Sequence, residues 1–380
     1  MRRAAPSDDV VVTAIGTALP RHRLPQAEAA RLYATAFAPD DPARALVRRA
    51  FRAAGVRSRR TCVPMLPADA TGSLLARPGP GTAARMALYA AHAPELAARA
   101  ARKALRAGAV APRQVDHLVV ATCTGFAAPG VDVALLARLG LRDDVERTLV
   151  GFMGCHGAFN ALRVARAAAA EGRTVLVVCV ELCSLHACTE PTRDALVASA
   201  LFGDAAAAAV VTRAVSGAPA LVRLGRGVSR VVHDDGACMA WEIGDHGFRM
   251  RLADVLPERI AAEVHDVVAP LRSPDGGDAW CVHPGGPAIL DGVARALGLA
   301  PDALAASRAV LRAHGNVSSA TILFVLQRAA RTLAPGAPGI LLGFGPGLTL
   351  EALRFVRGAR AAPAGAASAA RAPAAPRPRT

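Results

Sequence analysis

A chain of 380 residues has room for about two domain-sized units, and its 53% hydrophobic and 20% charged residues exclude a chain that is disordered over most of its length. Aromatic residues make up only 4%, so Ala, Leu and Val must supply most of the packing. The net charge of +15 invites a nucleic-acid reading, but of the 45 Lys and Arg residues Lys103 is the only lysine, and the arginines are spread along the whole chain. Solvated helix faces and a basic tail account for such a spread. An Arg-rich nucleic-acid-binding protein would also need a groove-reading signature or aromatic residues for stacking, and neither is present, so no nucleic-acid partner is expected. The first ten residues carry Asp8 and Asp9 and lack an apolar signal core, and no run of about 18 apolar residues occurs. The expectation is a cytoplasmic protein without a membrane span. Its eight cysteines include no Cys-x-x-Cys pair and should be free thiols; Cys179, Cys183 and Cys188 with His186 read as strand and pocket lining rather than a metal site.

In chain order, Val10 to Gly16 predicts an opening strand, Met86 to Gly108 a helix, and His117 to Thr122 a buried strand entering the turn Gly125 to Gly130. Val131 to Leu139 reads as a helix. A short segment from Thr148 leads to Gly154-Cys155 and a helix from His156 to Ala170, then an apolar strand from Thr174 to Leu182, a turn at Leu201 to Asp204 and a strand from Ala205 to Thr212. The second half repeats the plan, with strands at Ala220 to Val228, Phe248 to Leu252 and Ala279 to Val282 and helices at Pro257 to Val268 and Pro287 to Leu297. It closes with a helix from Ser318 to Leu333 and strands at Gly339 to Gly343 and Thr349 to Val356. This alternation predicts an α/β fold of two comparable layered halves, residues 10–213 and 214–357, between a flexible segment 1–9 and a disordered Ala/Pro/Arg tail 358–380.

Three motifs carry chemistry. In Val150 to Ala165, glycines 151, 154 and 157 surround a cysteine at the mouth of a helix, where small residues permit a sharp bend and unpaired backbone N–H groups favour a thiolate. His283 ends a strand before Pro-Gly-Gly, and Asn316 precedes a helix in His-Gly-Asn. Each has an ordinary structural explanation alone: a Gly-rich turn, a satisfied histidine, an N-cap. Together, Cys155, His283 and Asn316 make a nucleophile kept as thiolate by the imidazole, with two N–H donors for a thioester oxygen that becomes an enolate or oxyanion. Arg57, Arg59 and Arg60 form the densest basic cluster and would suit a phosphate-bearing ligand.

The three motifs, in this order and spacing, resemble the Cys-His-Asn triad of type III polyketide synthases, the chalcone-synthase-like branch of the thiolase superfamily. IGTALP (Ile15 to Pro20), CTGFAAPG (Cys123 to Gly130), VVCVELCSL (Val177 to Leu185), LFGDAAAA (Leu201 to Ala208) and GFGPGLTLE (Gly343 to Glu351) extend the likeness over about residues 10–357. The resemblance implies a thiolase-like fold with duplicated α-β-α-β-α halves and a homodimer. It also implies direct use of an acyl-CoA starter and malonyl-CoA with no further cofactor. Cys155 would carry the growing acyl chain, while His283 and Asn316 stabilise the enolate formed on loss of CO2. Phe202 would face malonyl-CoA, and Arg57, Arg59 and Arg60 would meet CoA phosphates. Met250, Trp241, Cys123, Cys183, His186 and Ser318 would line the substrate pocket. Met250 stands where plant members have a second gatekeeper phenylalanine, and Trp241 where they have a glycine. Cys183, His186 and Cys123 replace residues that are threonines there. These departures point away from flavonoid chemistry and towards a bacterial pyrone, resorcinol or other small aromatic polyketide. The rival with the same fold and triad types is a ketoacyl synthase III, which condenses with malonyl on a carrier protein; a Cys-His-Asn protease fits the apolar surroundings poorly.

Overall fold

The computed structural model describes residues 9–37, 40–190, 192–233 and 238–359. Most of segment 1–9 and of the 358–380 tail therefore lies outside the described residues. The first half supplies strands β1 (Val10–Ala18), β2 (His22–Pro25), β3 (Ser58–Thr61), β4 (His117–Thr122), β5 (Glu146–Gly151), β6 (Val175–Leu182) and β7 (Asp204–Arg213). The second supplies β8 (Val222–Val231), β9 (Met239–Gly244), β10 (Gly247–Leu252), β11 (Ala279–Val282), β12 (Pro338–Gly345) and β13 (Thr349–Arg357).

Nine of these strands form one hydrogen-bonded sheet in the order β11-β12-β13-β8-β1-β7-β6-β4-β5. The two halves meet at a short antiparallel contact in which Val10, Val11 and Val12 face Leu224, Arg223 and Val222. On either side of that contact the pairing repeats. In the first half β4 runs parallel to β6, then β6/β7 and β7/β1 are antiparallel. In the second, β11 runs parallel to β12, then β12/β13 and β13/β8 are antiparallel. This is the duplicated plan expected from the element order.

Side chains alternate across a strand, so a sheet covered on both faces reads as an unbroken apolar run. In β7, Ala205, Ala207, Ala209 and Val211 enter one core and Ala206, Ala208 and Val210 the other. The first core is built on two interior helices, Gly157–Ala170 and Thr321–Ala329, whose Phe159, Leu162, Ile322, Leu323 and Val325 are buried against both halves. The second is covered by outer helices including Gln26–Phe37, Thr82–Ala107 and Leu256–Val268. Small Ala side chains let these layers approach closely, which is how an aromatic-poor chain fills its interior.

Element boundaries differ from the sequence reading where Gly and local turns intervene. The helix expected from Ser318 begins as a 3-10 turn, Ser318–Ala320, and its α part stops at Ala329. Helices Gln26–Phe37, Asp41–Ala53, Arg193–Leu201 and Ala305–His314, and strands β2, β3 and β9, are additional to the elements expected from the sequence. The β9/β10 ribbon places Met239 opposite Leu252 and Trp241 opposite Met250, so these four side chains share one face.

Candidate active site

Cys155 sits in a 3-10 turn, Gly154–His156, immediately before the first interior helix, and Asn316 precedes the corresponding turn of the second. The duplicated architecture thus brings the two helix N-termini together. Gly154 adopts φ +65°, and a Cβ there would lie 2.5 Å from Pro346 Cδ in the Gly-Phe-Gly-Pro-Gly loop. A Cβ on Gly345 would overlap the His156 ring. The C-terminal glycine-rich loop is therefore the support on which the cysteine turn rests. Phe152 and Ser318, both non-glycine, take positive φ values of 57° and 47°, so backbone strain is concentrated beside Cys155 and Asn316.

The Asn316 amide lies 3.8–3.9 Å from Cys155 Sγ. Its Oδ1 accepts the Ser318 backbone N–H at 2.9 Å, which fixes the amide and leaves Nδ2 as the donor towards the sulfur. Asn316 N–H donates to Leu201 O, and Asn316 O accepts from Gly203 N–H, tying the asparagine to the segment that carries Phe202. Gly315, at φ +74°, permits this bridge because a Cβ would lie 2.5 Å from Leu201 O. His283 follows β11, donates its backbone N–H to Leu342 O at 2.7 Å, and is 1% exposed with both ring nitrogens unpartnered.

Burial raises the Cys155 thiol to about 11 and lowers the His283 imidazole to about 3, the latter helped by nearby His156. A lone charge on either group is disfavoured by its enclosure. Neither His283 ring nitrogen has a hydrogen-bond partner, so no hydrogen bond joins it to Cys155 Sγ.

Cys155 lies where two cavities meet. One, of about 460 Å³, runs past His283, Asn316, Phe344 and Leu256 to Ala50 and Ala53 of helix Asp41–Ala53 and its C-cap Ala54. The other, of about 340 Å³, is walled by Cys123, Cys183, His186, Trp241 and Ser318 at one side and by Leu24, Tyr33, Arg59 and Thr61 at another. Phe202, Met239 and Met250 belong to both walls and form the partition beside Cys155. Met239 was not singled out in the sequence; its place follows from the β9/β10 register.

Trp241 donates its indole N–H to Cys123 O at 2.7 Å and meets His186 edge-on at 5.4 Å. His186 stacks on Phe248 at 4.1 Å, lies 2.7 Å from Thr124 O through Nε2, and accepts the Phe248 N–H at Nδ1. With both nitrogens engaged, and burial lowering its pKa to about 4, His186 is a neutral clamp that anchors the ribbon. Cys123 Sγ is 3.2 Å from Ser318 Oγ and 3.4 Å from Glu181. Glu181, also unremarked in the sequence, is fully buried. It accepts from Cys123 N–H, Thr124 Oγ1 and Ser319 Oγ, and burial raises it to about 7.

The basic cluster divides. Arg57 is exposed, and Arg60 reaches Arg21 O at 2.8 Å. Arg59 is 3% exposed and donates to Ser199 O, Phe202 O, Ala200 O and Gln26 Oε1. It caps the C-terminal carbonyls of helix Arg193–Leu201 and holds the Phe202 backbone in place. A phosphate contact for Arg59 is therefore replaced by this interior role: strand alternation turns its side chain inward.

A cysteine at a helix mouth with a buried histidine and a fixed amide, at the N-termini of two pseudo-equivalent interior helices, defines a thiolase-like condensing enzyme. The chain matches chalcone and stilbene synthases, N-terminal domain, over residues 1–214 and their C-terminal domain over residues 224–358, and it belongs to this family. It is 32% identical over 365 residues to the alpha-pyrone synthesis polyketide synthase-like Pks18 of Mycobacterium tuberculosis, covering 93% of this chain and 92% of that protein. It is 35% identical over 363 residues to 1,3,6,8-tetrahydroxynaphthalene synthase of Streptomyces peucetius, covering 90% and 91%. Among solved structures, the C-terminal type III polyketide synthase domain of Steely1 from Dictyostelium superposes with a TM-score of 0.86 at 25% identity, covering 92% of this chain and 99% of that one. A type III pentaketide synthase from Neurospora crassa gives 0.81 at 27% identity, covering 92% and 100%. The protein is an acyltransferase of the type III polyketide synthase kind. No helix among the described residues is long and apolar enough to cross a membrane.

Proposed function

We propose that the chain condenses an acyl-CoA starter with malonyl-CoA at Cys155 and releases a pyrone, resorcinol or other small aromatic polyketide. Cys155 gives its proton to His283 as its sulfur attacks the starter thioester; the thioester C–S bond breaks, and CoA leaves as the thiol after taking that proton. Malonyl-CoA then places its thioester oxygen between His283 and Asn316. Its carboxylate leaves as CO2, and the electron pair of the broken C–C bond becomes an enolate held by the two N–H donors. That carbon attacks the acyl group on Cys155 and expels the sulfur, so the lengthened chain is now a CoA ester that can return to Cys155. Phe202, at the partition, covers the malonyl carboxylate with an apolar surface and favours its loss as neutral CO2.

The 460 Å³ cavity suits the pantetheine arm, because it leads from Cys155 to helix Asp41–Ala53. Arg48, Arg49 and Arg52 on the exposed side of that helix, with Arg57 just beyond it, are placed to meet the CoA phosphates. The 340 Å³ cavity takes the growing chain. CoA thioesters serve as the only reactants, with no added cofactor, in the cytoplasm. Two copies pair across the β5 edge, where Leu149 and Met153 are 45% and 37% exposed.

The observation that carries this reading is the fixed Asn316 amide 3.8 Å from Cys155 Sγ. Purified protein with an acyl-CoA starter and malonyl-CoA, without carrier protein, should form pyrones or aromatic polyketides, and Cys155→Ala should abolish chain extension. Strict dependence on a carrier protein, or extension by the alanine variant, refutes it.

A further inference from the structure

Among the described residues, few buried side-chain polar atoms lack a hydrogen-bond partner: Arg59 Nε, Thr61 Oγ1, His117 Nδ1, the ring nitrogens of His156 and His283, and Glu263 Oε2, which is ion-paired with Arg230 at 2.8 Å. Of these residues, those in the walls of the two cavities at Cys155 are His283, at the reaction centre, and Arg59 and Thr61. Unpaired polar atoms in an interior are costly, and His283 shows what kind of group completes such an atom here: an oxygen of the reactant.

Arg59 and Thr61 are two residues apart on β3 and so point to the same face. Leu24, opposite Arg59 in the β2/β3 pair, lines the same cavity and marks that face as the inner one. Tyr33 and Ser199 stand beside them in the wall, so this part of the chain-holding cavity is polar. The Arg59 guanidinium donates to three backbone carbonyls and to one amide oxygen, but no carboxylate accepts from it. Asp204, whose charge reaches it, directs its own oxygens to Cys62 and Ser184. Nε–H is a donor, and the Thr61 hydroxyl can donate alongside it.

The geometry points to a second oxygen-binding site, formed by Arg59 Nε and Thr61 Oγ1, that holds a keto or enolate oxygen of the poly-β-keto chain while its thioester end is on Cys155. The inference rests on the polyketide reading above and sharpens it. A chain with a carbonyl on every second carbon can satisfy this wall; a saturated alkyl chain cannot, and would leave both groups unpaired. By pinning an oxygen far from the thioester, the site also sets how the chain is bent before it cyclises. Because Arg59 holds Phe202, the site's state is tied to the malonyl partition through one side chain.

Thr61→Val tests this, since it removes the hydroxyl and keeps the shape. The probes are 3,5-dioxohexanoyl and hexanoyl thioesters as starters, with malonyl-CoA as extender, and malonyl-CoA decarboxylation as a measure of the reaction centre. The expected result is a loss of about tenfold in kcat/KM for the dioxo starter relative to hexanoyl, with recovery in Thr61→Ser. Shorter products from wild-type starters should accompany it. If Thr61→Val melts higher than wild type and treats the two starters as wild type does, the hydroxyl is an unfilled group with no ligand, and the inference falls while the polyketide reading stands. Should the valine not fold, Thr61→Ala provides the same comparison. If wild type neither decarboxylates malonyl-CoA nor extends any starter, the underlying reading fails first and takes the inference with it.

Discussion

Replacing Gly154 with alanine probes the support of the nucleophile without touching the reacting atoms. The residue sits at φ +65°, where an L side chain costs about 1–2 kcal/mol. Its new Cβ would lie 2.5 Å from Pro346 Cδ and 2.9 Å from Cγ, and the proline ring has no rotamer that clears it. Pro346 cannot simply retreat, because Gly347 N–H is bonded to Met239 O at 2.9 Å and Thr349 Oγ1 to Pro346 O at 3.2 Å. Overpacking of this kind adds about 1–3 kcal/mol, for a total of about 2–5 kcal/mol. Any relief comes from shifting the Cys155 turn, and a displacement of about 1 Å at a reacting atom lowers turnover by about a hundredfold. Gly140→Ala is the matched control, with φ +68° and nothing within 4 Å of the added Cβ, so it carries the conformational cost alone. Melting and malonyl-CoA decarboxylation of both variants should show Gly154→Ala markedly less stable and nearly inactive, and Gly140→Ala mildly less stable and active. Equal stability and activity in the two variants would refute the claim that the glycine-rich loop buttresses the cysteine.

Trp241→Gly removes the indole that closes the cavity against Cys123, His186 and Phe248. Products should gain at least one malonyl unit, read by mass spectrometry; an unchanged product set would show that the indole does not limit chain length. Glu181 gives a pH signature. Its pKa rises from 4.5 unfolded to about 7 folded, so between those values the folded chain holds a proton that the unfolded chain has released. Stability from this group is complete below about 4.5 and is lost as pH rises through about 7, by up to about 3 kcal/mol. Comparing wild type with Glu181→Gln in thermal melts, the wild type should lose ground to the variant as pH rises across that window; a constant difference would contradict the assignment.

The candidate residues were legible because a site built at a helix mouth leaves local marks: glycines around Cys155, a strand-end histidine before Pro-Gly-Gly, and His-Gly-Asn before a helix. Strand and helix order were legible for a similar reason, since the buried runs Ala205 to Val211 of β7 and Gly339 to Gly345 of β12 carry no charged residue. Other features were not. Glu181 looks like any charged residue ending a strand, and nothing in the sequence says that it meets Cys123, Thr124 and Ser319. Met239 lies in a segment without a clear pattern, and its place at the partition depends on its register with Leu252. Arg59 was grouped with Arg57 and Arg60 because adjacency is all that a sequence records. Strand pleating turns Arg60 away from Arg59, which goes inward to Ser199, Ala200 and Phe202, while Arg57 precedes β3 and stays in solvent.

The sequence by itself determined the chemistry, because residue type, local backbone freedom and hydrophobic period are properties of short segments. The tertiary structure alone decided which distant segments share a wall: that two interior helices aim Cys155 and Asn316 at one point, that Phe202, Met239 and Met250 divide the space beside them, and that Arg59 and Thr61 line the same cavity as Trp241. Those contacts span up to 160 or more residues, as the Cys155–Asn316 pair does with a separation of 161. They are set by layer packing, which no local pattern encodes.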